Sequence, residues 1–191
     1  MTVPKPNIYE LQVVASDERS SFTIKNSEGK EGFCWEDIVR GGKIYMVTEK
    51  GVDGTVRYVG QTVQSIQKRL YQGITNQTYT WSKRSYKYEL FVWNLSGLVD
   101  SEPTYALDSI EAELAFAVKL HQRDWPINQT SIKFRWFRST SIGSTAQSIA
   151  PVMIDQFYDH LLYKYQQRGM DTSSIEKDRS DLQTLLRRLV L

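Results

Sequence analysis

The chain has 191 residues, of which 40% are hydrophobic and 24% charged, and its formal net charge is +2. Such ordinary usage supports a packed core and excludes a disordered, collagen-like or disulfide-dense chain, and the length suits one domain with extensions. The longest aliphatic-aromatic stretch, 114–118, falls far short of the roughly 18 residues of a membrane helix, so a soluble protein is expected.

Residues 1–10 place a Lys and two Pro where an export signal needs an uninterrupted apolar segment. No export signal is expected. Cys34 is the only cysteine, which excludes an internal disulfide and a cysteine-based zinc site and points to a reducing, cytoplasmic compartment.

Residues 8–15 and 21–25 read as strands, with Asn26-Ser27-Glu28-Gly29 as a turn. A short helix is expected over 35–40, closed by Gly41-Gly42. Residues 44–48 and 55–62 form a hairpin across a Gly-containing connection at 50–54. A helix over 65–72 follows, with Ile66 and Leu70 four apart on one face and Gly73 at its end. Residues 86–95 alternate as a third strand. A long amphipathic helix spans 108–123 and halts before Pro126. Residues 139–148 read as a Ser/Thr/Gly loop, followed by helices over 149–168 and 174–189, the second opened by Ser173 with Glu176 three residues later. The expected organisation is a β-rich extension over 1–41, a small α/β core over 42–138, and a helical extension over 139–191.

The charges are unevenly placed. From Gly54 through Tyr88 there is no Asp or Glu, while Arg57, Lys68, Arg69, Lys83, Arg84 and Lys87 are present among Tyr58, Tyr71, Tyr79, Trp81, Tyr86 and Tyr88. A second acid-free stretch, 125–153, carries Lys133, Arg135 and Arg138 around Phe134, Trp136 and Phe137. Cations interleaved with rings suit a nucleic-acid backbone, because cations displace condensed counterions and rings stack on bases. A solvated basic face is the other reading of the same pattern.

Lys43-Ile44-Tyr45 on the first hairpin strand, Tyr58-Val59-Gly60-Gln61-Thr62 on the second, Arg69 on the next helix, Glu113 on the long helix and Trp125-Pro126-Ile127-Asn128 after it occur in one order. Together they resemble the signature of the GIY-YIG nucleases over roughly residues 42–128, closest to restriction-type endonucleases. The resemblance implies an α+β core with a central three-stranded antiparallel sheet flanked by helices. It also implies catalytic roles for Tyr45, Tyr58, Arg69 and Glu113, structural roles for Gly60 and Asn128, a bound Mg²⁺ or Mn²⁺, and double-stranded DNA as partner. Lys43 replaces the first Gly of the name motif. Gly73 stands where many members carry a His or Tyr four residues after the Arg, with Tyr71 nearby.

Elementary chemistry supports those roles. The resemblance assigns water activation to Tyr45, and a phenol of pKa about 10 needs a cation beside it to act near neutrality. Arg69 is that cation, placed to bind the scissile phosphate, and Arg57 is a second candidate phosphate ligand. On a helix advancing about 100° per residue, Ile110, Leu114, Ala117, Val118 and His121 centre an apolar arc. Glu113 falls inside it and Glu111 at its border. A carboxylate within an apolar face is costly unless paired, neutralised or metal-bound, which favours Glu113 as the ligand over Glu111. One carboxylate with retained waters suits Mg²⁺ or Mn²⁺. His121 and His160 are too few for a zinc site.

No phosphate-binding Gly-rich loop, Rossmann fingerprint or Gly-x-Ser-x-Gly elbow is present, and no organic cofactor is expected. Glu28-Gly29-Lys30 matches part of another nuclease scheme but lies in a predicted turn. The expected function is metal-dependent, sequence-specific DNA cleavage. The alternatives are a homing or repair nuclease of the same family, and a DNA-binding module that keeps the fold without catalysis. Ile175, Leu182, Leu185, Leu186 and Leu189 form an apolar stripe suited either to a homodimer or to the chain's own core.

Overall fold

Period-two alternation organises the first half of the chain into strands β1 (Asn7–Val14), β2 (Ser21–Asn26), β3 (Lys43–Glu49), β4 (Val56–Thr62) and β5 (Tyr86–Asn94). The structure is a computed structural model that describes residues 2–51, 53–98, 103–129 and 140–189. Its α+β fold has one five-stranded antiparallel sheet in the order β2-β1-β5-β3-β4. The sheet is wider than the three strands expected, because β1 pairs with β5 from Asn7↔Val92 to Val13↔Tyr86. An unpaired β5 would expose a row of backbone donors and acceptors, and the N-terminal hairpin supplies the missing partner.

The helices are α1 (Trp35–Ile38), α2 (Ile66–Leu70), α3 (Pro103–Gln122), α4 (Thr140–Gln167) and α5 (Ser173–Leu189), with a π-helical turn at Tyr71–Thr75 and a 3₁₀ turn at Thr80–Lys83. Alternation along the strands sends apolar side chains to two cores. Ile44, Met46, Phe91 and Trp93 pack beneath Leu107, Ile110 and Leu114 of α3 and Met153 and Phe157 of α4. Tyr45, Val47, Leu90 and Val92 face the other way, onto Ile66, Leu70 and Ile74. An irregularity at Val47/Thr48 leaves Arg57 of β4 out of the ladder register with β3.

Two helices begin earlier than the sequence pattern predicts. α3 starts at Pro103, where the missing backbone N–H costs no intrahelical bond. α4 starts at Thr140 and runs through Pro151, so residues 140–148 are helix instead of loop. Burial of Ala146, Ile149 and Ala150 outweighs the weak propensity of the Ser/Thr/Gly stretch. At the start of α5 the cap is one residue off the expected pair: Thr172 Oγ1 donates to Glu176 Oε1 at 3.0 Å. Ile175 and Leu182 of the C-terminal stripe are buried in the chain's own core, and Leu186 packs on it, while Leu185 is exposed. Among the described residues no helix is long and apolar enough to cross a membrane.

Candidate active site

The hairpin places Tyr45 directly across from Gly60, with Tyr58 on the same face of β4. The two rings lie 5.9 Å apart. A Cβ at Gly60 would come within 2.5 Å of the Tyr45 hydroxyl and 2.6 Å of the Tyr58 ring. The glycine is therefore what allows both phenols to sit over the strand.

Arg69, in the last turn of α2, turns back toward this pair. Its Nε donates to the Tyr45 hydroxyl at 3.2 Å. On the far side of the same hydroxyl stands Tyr79, oxygen to oxygen at 2.7 Å. The Tyr79 ring lies 5.2 Å from that of Tyr58 and is stacked on Trp81 at 5.2 Å, and the Arg69 guanidinium sits 5.6 Å over it. Tyr45 is wholly buried and Tyr79 is 6% exposed. Tyr58 and Arg69 are half-buried, so they form the face of the cluster that solvent reaches.

Burial raises the pKa of Tyr45 well above that of a free phenol, and the neighbouring Tyr79 and Tyr58 add to the effect against the opposing Arg69. Tyr79 is pushed up to about 12, chiefly by desolvation. Tyr58 is raised by burial and by Glu111, while Arg69 and hydrogen bonding with Tyr45 and Arg69 pull it down. Desolvation would lower the pKa of Arg69, but the surrounding phenolic oxygens outweigh it and raise the value. Arg69 therefore stays cationic, and it joins no ion pair among the described residues.

The two glutamates of α3 separate. Glu111 acts electrostatically on Tyr58 and Tyr79 and accepts a 3.4 Å hydrogen bond from Gln129 Nε2, whose own Oε1 takes the Val59 N–H at 3.2 Å. Glu113 instead lines a small cavity with Phe116, Ala117, Ala150, Pro151 and Leu186, where burial raises its pKa. The apolar arc that singled out Glu113 packs on α4 and α5, and the border position of Glu111 is the one whose charge acts on the phenols. Among the described residues no three His, Cys, Asp or Glu converge. Glu111 is the carboxylate that could hold a cation beside Tyr58, with water and phosphate oxygens as further ligands. Mg²⁺ accepts that coordination readily.

Of the expected DNA-contacting cations, Lys68, Lys83, Arg84 and Lys87 are exposed. Arg57 is engaged with Glu49, its Nε donating at 2.7 Å. That ion pair makes it a poorer phosphate ligand than Arg69. Lys133, Arg135 and Arg138 lie outside the described residues. The Asn128 N–H bonds to the Arg57 carbonyl at 3.0 Å and its Oδ1 accepts from Thr80 at 3.1 Å. Lys43 is buried and donates to the Val39 and Gly41 carbonyls at 2.8 and 3.3 Å, so this departure from the name motif secures the entry to β3. His121 is half-buried with its Nδ1 2.6 Å from the Tyr158 hydroxyl, and His160 faces Glu89 at 3.4 Å; each links a helix to its neighbour. Tyr71 points away, under Arg19.

The residues missed from sequence are Tyr79 and Gln129. For Tyr79 a signal existed, since a glycine four residues after Arg69 leaves room that a later ring could take. No family model matches the chain, and no curated protein or solved structure matches it.

Proposed function

We propose that β3, β4 and β5, with α2 and α3, form a GIY-YIG-like nuclease core, and that the protein is a metal-dependent, restriction-type DNA endonuclease that hydrolyses phosphodiesters. The observation that carries this reading is the meeting of Tyr45, Tyr58 and Arg69, drawn from β3, β4 and α2, in one cluster on which Glu111 of α3 acts electrostatically. Arg69 would hold the scissile phosphate and offset the charge that gathers as a fifth oxygen joins phosphorus. A divalent ion on Glu111 would supply further charge neutralisation and a bound water of lowered pKa. Tyr58, as the half-buried phenol beside both Arg69 and Glu111, would orient the attacking water. Tyr45, sealed from solvent, acts through Arg69. This assignment moves water activation to Tyr58 from Tyr45, where the sequence resemblance puts it.

Lys68, Lys83, Arg84 and Lys87 would follow the phosphate backbone on either side. Incubation with supercoiled plasmid and Mg²⁺, repeated in EDTA, tests the reading. Discrete EDTA-sensitive bands are expected, and an intact plasmid would overturn it. The complete burial of Tyr45 favours a second reading, a DNA-binding module without catalysis, whose mark would be a gel shift with no cutting.

A further inference from the structure

We propose that Tyr79 is a positioning residue of this site, holding the Arg69 guanidinium in place through Tyr45. Its kinetic consequence rests on the nuclease reading above.

The three side chains close a loop. Tyr79 meets the Tyr45 hydroxyl at 2.7 Å, Arg69 Nε donates to that hydroxyl at 3.2 Å, and the guanidinium lies over the Tyr79 ring at 5.6 Å. A carboxylate could fix the arginine as firmly, but it would also neutralise the charge a phosphate needs. Two phenols orient the cation and leave its charge available. Tyr45 has no exposure through which water could serve as its second partner, and a buried hydroxyl short of partners is costly. Tyr79 fills that need.

Tyr79 is itself held firmly. Its ring lies between Tyr58 and Trp81, and its N–H bonds to the Gly73 carbonyl at 3.0 Å. A Cβ at Gly73 would overlap the Tyr79 ring. The missing side chain at 73 and the ring at 79 are thus two halves of one arrangement, in which the residue that leads into the 3₁₀ turn delivers a hydroxyl that α2 and its π-helical continuation do not.

The test uses the full chain with Tyr79→Phe, which keeps the ring and removes only the hydroxyl, and Tyr71→Phe as a control. Single-turnover cleavage in Mg²⁺, oligonucleotide affinity in Ca²⁺ and hydrogen exchange of the Arg69 Nε–H, assigned with Arg69→Lys, are measured together. In Tyr79→Phe we expect cleavage at least tenfold slower, affinity within twofold, and Arg69 Nε–H exchange at least tenfold faster; a misplacement of about 1 Å can cost a catalytic group about 10²-fold. Tyr71→Phe should match the parent in all three. Parental cleavage by Tyr79→Phe would overturn the proposal, and so would slower cleavage with unchanged Arg69 exchange. If the parent does not cut DNA, the nuclease reading fails and the Nε–H exchange alone decides whether Tyr79 holds Arg69.

Discussion

Glu111 and Glu113 share helix α3 but serve opposite sides of it, Glu111 facing Tyr58 and Glu113 facing Pro151 and Leu186. Glu111→Gln is therefore expected to abolish Mg²⁺-dependent cleavage while DNA binding in Ca²⁺ persists. Glu113→Gln should cut at close to the parental rate. The reverse pattern would return the metal to Glu113 and detach the tyrosine cluster from the chemistry.

Glu113 also has a consequence for stability. Its folded pKa lies above the ordinary 4.5 because of burial. At pH below 4.5 both folded and unfolded states carry the proton, and the neutral side chain costs nothing. As pH rises from 4.5 through the raised folded value, the unfolded chain releases its proton first and stability falls. Urea unfolding of Glu113→Gln and the parent at about pH 4 and about pH 8 should show the variant gaining on the parent toward the alkaline end. A constant difference between the two would mean that Glu113 titrates normally.

Tyr45→Phe and Tyr58→Phe separate the two phenols. Each substitution keeps a ring over Gly60, so folding should survive. If Tyr58 orients the attacking water, its loss should cost about 10² to 10⁴ in single-turnover rate, the usual range for a proton-handling group. Tyr45→Phe should be slower than the parent by at least about tenfold through a looser Arg69. Should Tyr58→Phe cut normally while Tyr45→Phe is inactive, the burial of Tyr45 must be relieved when DNA binds.

Much of this site was legible in the sequence because it depends on local chemistry. Tyr45, Tyr58 and Gly60 are set by the hairpin register, and Arg69 by the short helix that follows. The helical arc did not separate the surroundings of Glu111 and Glu113, because it shows which side is buried and not which neighbour buries it; for Glu113 that neighbour is α4 and α5. Tyr79 stands just before a 3₁₀ turn, and no periodicity announces a ring that fills the space over a glycine several residues earlier. The N-terminal strands were found, but the pairing of β1 with β5 joins distant segments, which strand periodicity cannot reveal. The helical start of α4 was hidden by residues of weak propensity that only packing makes helical.

Gly60→Ala tests the steric logic of the hairpin. The added methyl would meet both phenols, so either the rings or β4 must move. Overpacking of this kind typically costs about 1 to 3 kcal/mol, and thermal unfolding should show the loss. Cleavage should fall further than stability alone explains at temperatures where the variant remains folded. A variant with parental stability and rate would show that the tyrosines are not confined over the strand.

The exposed cations of the acid-free stretch supply the last prediction. Lys83, Arg84 and Lys87 bracket the start of β5 and follow closely on the Tyr79–Trp81 stack, so DNA seated on Arg69 would meet them next. Neutralising one cation that pairs with a phosphate should reduce the magnitude of the log-affinity against log-salt slope by about 0.9. Arg84→Ala/Lys87→Ala should therefore lower it by up to about 1.8 on the same basis. Arg187 and Arg188, exposed near the end of α5, provide a control of equal charge change. Their double alanine variant should leave the slope close to the parent's, because long-range attraction between exposed charges is largely screened beyond a Debye length. Affinity is to be measured in Ca²⁺ across a salt series, with all three proteins on one oligonucleotide. Equal slopes for the two variants would take the 84–87 segment out of the interface and require the DNA to leave Arg69 in another direction.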